Sequence, residues 1–343
     1  MSASSRFQFA DLDVPIIAAP MSGGPSTPEL AAAATNAGGL GFVASGYVSA
    51  DVFAERLASA QELASGPIGA NLFVPQPSAA DPADIDRYAA ALAGESQRYG
   101  TELGEPRYTD DGWTAKLDVL LDLRPEVASF TFDCPSAAEI RRLKDSGIVT
   151  VATVTTAAEA QIAVSRGVDA VAVQGPSAGG HRGTYDPTAQ PATQPLPELL
   201  ADVIACVAVP VAAAGGLMTA QDVDGMLRAG AAAAQLGTAF LLADEAGSSP
   251  VHRAALQDPQ FTEAVVTRAF SGRYARGLRN RFIDEHEAQA SFGYPEIHYL
   301  TSPLRAASVR AGDPHATNIW AGTGFKKAKA GSVASIMGEL SCR

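Results

Sequence analysis

The chain has 343 residues, with 25 Lys and Arg against 37 Asp and Glu and a formal net charge of −12. That excess of acid argues against a nucleic-acid backbone or an anionic membrane as the partner, since both require a cationic face. Hydrophobic residues make up 47% of the chain and charged ones 18%, a composition that folds into a compact body without disulfides or metals. The three cysteines, Cys134, Cys206 and Cys342, are too few and too widely spaced for a disulfide framework or a zinc site. The first residues lack a basic stretch followed by an apolar core, and no uncharged apolar run is long enough to span a bilayer, so the expected location is the cytoplasm.

Short β-branched or alanine-rich runs recur along the chain, each followed by a turn and an alanine-rich amphipathic stretch, which is the alternation of a parallel sheet. Predicted strands fall at residues 14–19, 40–44, 68–74, 127–132, 150–155, 170–174, 209–214 and 232–236, with helices at 28–37, 50–64, 136–146, 157–165 and 220–229. Eight strands with interposed helices predict a closed (β/α)8 TIM barrel of the α/β class. An open doubly wound sheet would carry Gly-x-Gly-x-x-Gly directly after its first strand. Here that strand runs into Ala19-Pro20-Met21-Ser22-Gly23-Gly24, and the glycines of Gly38-Gly39-Leu40-Gly41 precede a strand instead. Residues 75–115 read as an insertion after the third strand. The expected division is a barrel over 1–242 and a helical extension over 243–343, packed at the barrel mouth and completing the substrate pocket.

Barrel active sites form at the C-terminal strand ends. That selects Met21, Asn71, Gln174, Gly215, Gly216 and the run Gln235, Leu236, Gly237, Thr238. One glycine turn alone reads as a change of chain direction. Two at the ends of strands seven and eight favour a phosphate site, because their backbone N–H groups can approach an anion and Thr238 adds a hydroxyl. With no lysine nearby, a monophosphate held by amides fits better than a triphosphate. The loop leaving strand six places His181 among Gly179, Gly180 and Gly183, where little bulk shields a residue able to donate, accept or titrate. His252, His286, His298 and His315 are scattered, and no metal site is expected. Arg273, Arg276, Arg279 and Arg281 read as a solvated helix face or an oligomer contact, ahead of substrate-anion capture.

These motifs resemble the FMN-dependent nitronate monooxygenases, formerly 2-nitropropane dioxygenases, and their class I group. The resemblance spans nearly the whole chain and rests on Ala18 to Gly24, Gln174 to Gly183, Ala213 to Gly216, Gln235 to Leu241, Tyr294 to Thr301 and Ile319 to Gly322. It implies FMN held by Met21, Asn71, Gln174, Gly179, Gly180, Gly215, Gly216 and Gln235 through Thr238, with His181 as the site histidine and Tyr299 in the substrate pocket. Pro176-Ser177 departs from the acidic residue many relatives carry there, which bears on substrate preference and not on the cofactor. The implied reaction oxidises an alkyl nitronate such as propionate-3-nitronate with O2 to a carbonyl compound and nitrite, through a flavin semiquinone. His181 would hold the anionic nitro group by a charge-assisted hydrogen bond, or act as base toward a neutral nitroalkane. A homodimer is compatible with this reading.

Three alternatives stand beside it. An NAD(P)H-dependent flavin reductase, acting on quinones or enoyl thioesters, would use the same barrel. A phosphate-sugar aldolase would need an inward lysine, yet Lys116, Lys144, Lys326, Lys327 and Lys329 lie in helical or C-terminal segments. A non-enzymatic scaffold would bind no flavin and tolerate loss of His181.

Overall fold

A computed structural model describes residues 6–341. The first half runs β1 (Ile16–Ala18), α1 (Pro28–Asn36), β2 (Leu40–Ala44), α2 (Ala50–Leu63), β3 (Ile68–Phe73), α3 (Pro82–Ala91), α4 (Ala93–Tyr99), α5 (Trp113–Leu123), β4 (Val127–Thr131), α6 (Ala137–Asp145), β5 (Val149–Val154), α7 (Ala157–Arg166) and β6 (Ala170–Gln174). There follow β7 (Gly180–His181), α8 (Leu196–Cys206), β8 (Val211–Ala214), α9 (Ala220–Arg228), β9 (Ala233–Leu236), α10 (Pro250–Gln257), β10 (Ala264–Thr267), β11 (Ala275–Leu278), α11 (Arg281–His286), α12 (Glu296–Arg310) and α13 (Val333–Leu340). Strands β1 to β6, β8 and β9 close into a parallel barrel, β1 pairing with β2 through Ile17–Leu40 and with β9 through Ile17–Gln235. All eight predicted barrel strands are present, with ends shifted by no more than two residues. Cys342 lies outside the described residues.

Local chemistry explains the boundaries. Thr27, Ser136 and Thr219 cap α1, α6 and α9 by accepting a backbone N–H of the first turn, and Glu139 and Asp222 complete capping boxes. Gly41 lets α1 press directly on β2, since a Cβ there would run into the Ala31 backbone. Inside the barrel the period of two decides which side chains meet. Ile17, Leu40, Phe42, Val127, Val149, Val151, Ala170, Ala172, Ala212 and Ala233 fill the lower half, and Phe9 packs with them from below. A larger apolar layer joins the strands' outer faces to the helices.

A second core lies above the barrel. Ile85, Tyr88 and Leu92 of the 75–115 stretch pack with Phe270, Phe282, Ile297, Leu300 and Leu304 from the C-terminal part, and Tyr88 donates its hydroxyl to the Ala269 carbonyl at 2.6 Å. The insertion and the extension therefore share one cap. Besides helices, that cap carries β10 and β11, which form an antiparallel sheet with β7. The sequence reading contained none of these three short strands.

Candidate active site

Continuing up the same inward-facing rows of the barrel, side chains turn from apolar to polar: Asn71, Ser129, Thr131, Thr153, Gln174 and Gln235. Above them opens a cavity of about 680 Å3, lined by the strand ends and roofed by α12 and the 317–324 segment. Met21, Asn71, Gln174, Gly179, Gly180, His181, Gly215, Gly216 and Gln235 to Thr238 all line it, so the structure gathers every predicted cofactor residue and the site histidine in one place. Gly215 and Gly216 have φ of +116° and +79°, open to glycine and strained for other residues. The N–H groups of Gly215, Gly216, Leu217, Gly237 and Thr238 find no acceptor among the described residues. Unpaired backbone donors are rare in folded proteins, and five on one cavity wall form a nest for an anion. Asn71 spends its Nδ2 on Ser129 and Thr131 and leaves its Oδ1 uncommitted.

Gln174 does something the motif did not reveal. Its Nε2 donates to the His181 carbonyl at 3.0 Å and its Oε1 accepts from Gly183 N–H at 2.9 Å, so its amide clamps the histidine loop to the end of β6. Antiparallel pairing of Gly180 with Arg276 and of His181 with Ala275 fixes the loop from the other side. The imidazole is ringed by Phe132, Tyr294 and Trp320, with centroids 5.9, 5.3 and 5.5 Å away. His181 Nε2 lies 2.9 Å from Ser271 Oγ, whose own hydrogen goes to the Arg273 carbonyl. Ser271 thus accepts from Nε2–H, and Nδ1 keeps its lone pair.

Burial, and then the charges of Arg273 and Arg305, push His181 down from its ordinary value to about 3. The ring is neutral at pH 7. With its Nε2–H engaged by Ser271, the neutral ring presents the Nδ1 lone pair to the cavity side, the group that a base would use.

Tyr47, on the cavity wall, was not anticipated. It accepts the hydroxyl hydrogen of Tyr294, behind it in the small neighbouring pocket, at 2.9 Å, its own hydrogen has no acceptor among the described residues, and burial raises both phenols above their usual range. Tyr47 stacks on His298 at 4.1 Å and sits at φ +69°, held by an N–H bond to Asp111. Its place directly after β2 was the available signal, since strand-end residues are site candidates. Tyr299, expected in the substrate pocket, does not line this cavity. It faces a separate pocket of about 30 Å3 and stacks under Arg107. One residue along a helix turns a side chain by about 100°, so it is His298 that points inward.

The arginine run is also corrected in part. Arg279 pairs with Glu263 on the cap surface and Arg281 reaches the buried Glu95 inside the cap, while Arg273 and Arg276 belong to the site's frame. Arg273 is 1% exposed, lies over the Phe132 ring and donates to Gln76 and to the Arg182 and Thr184 carbonyls. Arg276 holds the Pro176 carbonyl. Lys116 is likewise less remote than its helix suggests: its Nζ reaches the Ser45 carbonyl at the end of β2 and pairs with Asp111 at 2.6 Å. That engagement leaves it unsuited to act as a Schiff-base nucleophile. Cys134 is buried away from the cavity, its thiol pushed up to about 12, and is inert. No described helix is long and apolar enough to cross a membrane.

Comparison with known proteins adds identity to this geometry. The family model described as nitronate monooxygenase matches residues 6–342. A probable nitronate monooxygenase of Staphylococcus aureus (strain MSSA476) is 34% identical over 322 residues, 92% of this chain and 90% of the relative. One from Bacillus subtilis (strain 168) is 33% identical over 320 residues, 92% of this chain and 91% of that one. Among solved structures, nitroalkane oxidase from Streptomyces ansochromogenes superposes with a TM-score of 0.94 at 45% identity, covering 96% of this chain and 95% of its own. FabK from Thermotoga maritima, at 22% identity and a TM-score of 0.75 over 97% of this chain and 93% of its own, shares the fold. The chain belongs to the nitronate monooxygenase family of oxidoreductases.

Proposed function

We propose that this protein is an FMN-dependent nitronate monooxygenase, converting an alkyl nitronate such as propionate-3-nitronate and O2 to a carbonyl compound and nitrite. The observation that carries the reading is the charge of the cavity. In a chain of net charge −12 no aspartate or glutamate among the described residues lines it, and its charged side chains there are Arg305 and Arg310. Such a chamber suits an anionic cofactor and an anionic substrate together.

The residues present fit FMN. The five unpaired N–H groups at the ends of β8 and β9 suit a monophosphate held without lysine. Met21, Asn71, Gly179, Gly180, Gln235 and Leu236 supply the floor and walls for a flavin ring, and Gln174 acts on it through the loop it clamps. When bound, FMN supplies the electron acceptor for the nitronate and the route to O2.

The chain's own part is binding and proton handling. Tyr47 offers its spare hydroxyl hydrogen to a nitro oxygen, and Arg305 balances negative charge. His181, neutral and with Nδ1 free, takes the α-proton when a neutral nitroalkane is offered; a preformed nitronate needs no such step. Phe132, Tyr294 and Trp320 keep water from the ring.

The purified protein should be yellow, release FMN on denaturation, and consume oxygen with propyl-1-nitronate or propionate-3-nitronate while forming nitrite. A colourless protein that cannot be loaded with FMN overturns the reading. Prompt bleaching by NADH under anaerobic conditions, with no oxygen uptake on either nitronate, assigns the reductase instead.

A further inference from the structure

A second pocket lies behind the chamber wall that faces the insertion. Its volume is about 30 Å3, room for one small molecule, and it sits where the 108–111 stretch crosses the ends of β3 and β4 beside the start of α12. Tyr47, Phe73 and Phe132 line both this pocket and the chamber, so the partition between the two is one side chain thick. That partition is aromatic. Tyr47 meets Phe73 edge-on with centroids 5.5 Å apart, Phe73 meets Phe132 at 4.7 Å, and Phe132 meets Tyr294 at 5.4 Å. Phe132 and Tyr294 are also two of the rings around His181, which puts the pocket directly behind the histidine's apolar collar.

The lining disfavours a polar occupant. Its inner end is built from the apolar side chains of Phe73, Val74, Pro75 and Phe132. Polar groups on the outer side are already engaged. Gln76 bonds the Phe132 and Tyr185 carbonyls and Arg273, the Tyr108 hydroxyl donates to the Gln76 carbonyl at 3.1 Å, and Thr109 Oγ1 accepts from Asp111 N–H at 3.1 Å. Asp111 itself pairs with Lys116. A buried water needs several polar partners, whereas an apolar gas gains by leaving water for such a lining. Tyr108 and Asp110, both exposed, bring the outer edge of the pocket to the protein surface.

We infer that this pocket is a docking site for dioxygen, from which O2 crosses the Phe73–Phe132 partition to the His181 side of the chamber while the cofactor and the organic substrate occupy the chamber itself. This rests on the nitronate reading above, which makes O2 a substrate.

Xenon, an apolar gas, probes the site itself: crystals of the FMN-loaded protein under xenon pressure should hold an atom between Phe73, Val74 and Tyr294. Filling the pocket probes its use. Val74→Leu and Thr109→Phe add carbon at positions that do not line the chamber. Each should lower kcat/KM for O2 by about threefold or more while anaerobic bleaching of the flavin by propyl-1-nitronate keeps its wild-type rate. A packing defect would slow both reactions, so the split between them is what a merely structural role does not produce. An ordered water in the pocket in place of xenon overturns the inference. So does an unchanged kcat/KM for O2 in the variants, or an equal fall in both rates. If the wild type takes up no oxygen with a nitronate, the functional reading has failed and the O2 assignment falls with it, whereas an oxygen-consuming enzyme with unaltered variants loses only the pocket.

Discussion

A histidine ringed by Phe132, Tyr294 and Trp320, with the charges of Arg273 and Arg305 acting on it, has lost most of what stabilises an imidazolium. What it keeps is a directional lone pair, because Ser271 occupies its Nε2–H. The consequence separates two substrates that share one product. A neutral nitroalkane must lose an α-proton inside the site, and His181→Asn should cost it about 100-fold or more in kcat/KM. A nitronate prepared in alkali arrives ionised, and the same variant should lose less than about tenfold on it. Oxygen uptake with nitroethane and with its nitronate measures both, and equal losses would remove the base role. The wild-type nitroalkane profile should also show no ionisation of a histidine between pH 5 and 8, since His181 is deprotonated throughout. How far such residues can be read from sequence depends on their surroundings. His181 could be found because it leaves a strand end among glycines, a local pattern. Arg273 could not, since its burial depends on Gln76, Arg182 and Thr184, which lie far away in the chain. Tyr299 was expected in the pocket where its neighbour His298 stands, because a motif carries no helical phase.

The barrel strands were legible because each carries its signal within itself: an apolar run, a turn, and a capped helix behind it. Strands β7, β10 and β11 are short and exist through mutual pairing, which no local window contains. The same dependence on distant partners governs how β2 delivers Tyr47. The residue is held in a left-handed conformation by Asp111, Asp111 is held by Lys116 of α5, and Lys116 is tied to the Ser45 carbonyl. Lys116 is 1% exposed, so its methionine variant strands a carboxylate without its cation. Lys116→Met should lower unfolding stability by about 3 kcal/mol, the low end for breaking a buried pair because Asp111 keeps some access to water. Adding Asp111→Asn should restore part of that loss, since the amide removes the stranded charge and its Oδ1 can still accept from Tyr47 N–H. Urea unfolding of the three proteins reads this directly. A single variant as stable as the wild type would show that the pair does not hold the segment.

At the scale of the whole molecule, the roofed cavity sets how the protein responds to acid. His181, His252 and His298 line it, and burial lowers all three below the ordinary histidine value, His181 to about 3 and His252 to about 4. In the unfolded chain they return to about 6.5. As pH falls through 6.5 the unfolded state takes up protons that the native state refuses, so stability is present above that value and drains away below it. The hydrogen-bonded carboxylates Asp169, Asp222 and Asp313, whose values are lowered, add their loss only as pH falls below about 4, where unfolded carboxylates begin to protonate. Between pH 7 and 5.5 the histidines therefore act alone in this set, at up to about 1 kcal/mol each and about 3 kcal/mol together. Thermal or urea unfolding of the flavin-free protein should show that decline. His252 donates its Nε2–H to the Trp320 carbonyl, a bond glutamine can reproduce, so His252→Gln should remove up to about 1 kcal/mol of the decline while retaining the contact, with His181, His298 and the cap's His286, also lowered by burial, carrying the rest. A stability unchanged from pH 7 to 5.5 would mean that the cavity lets these rings protonate in the folded state as readily as in the unfolded chain, and that burial does not set their charge.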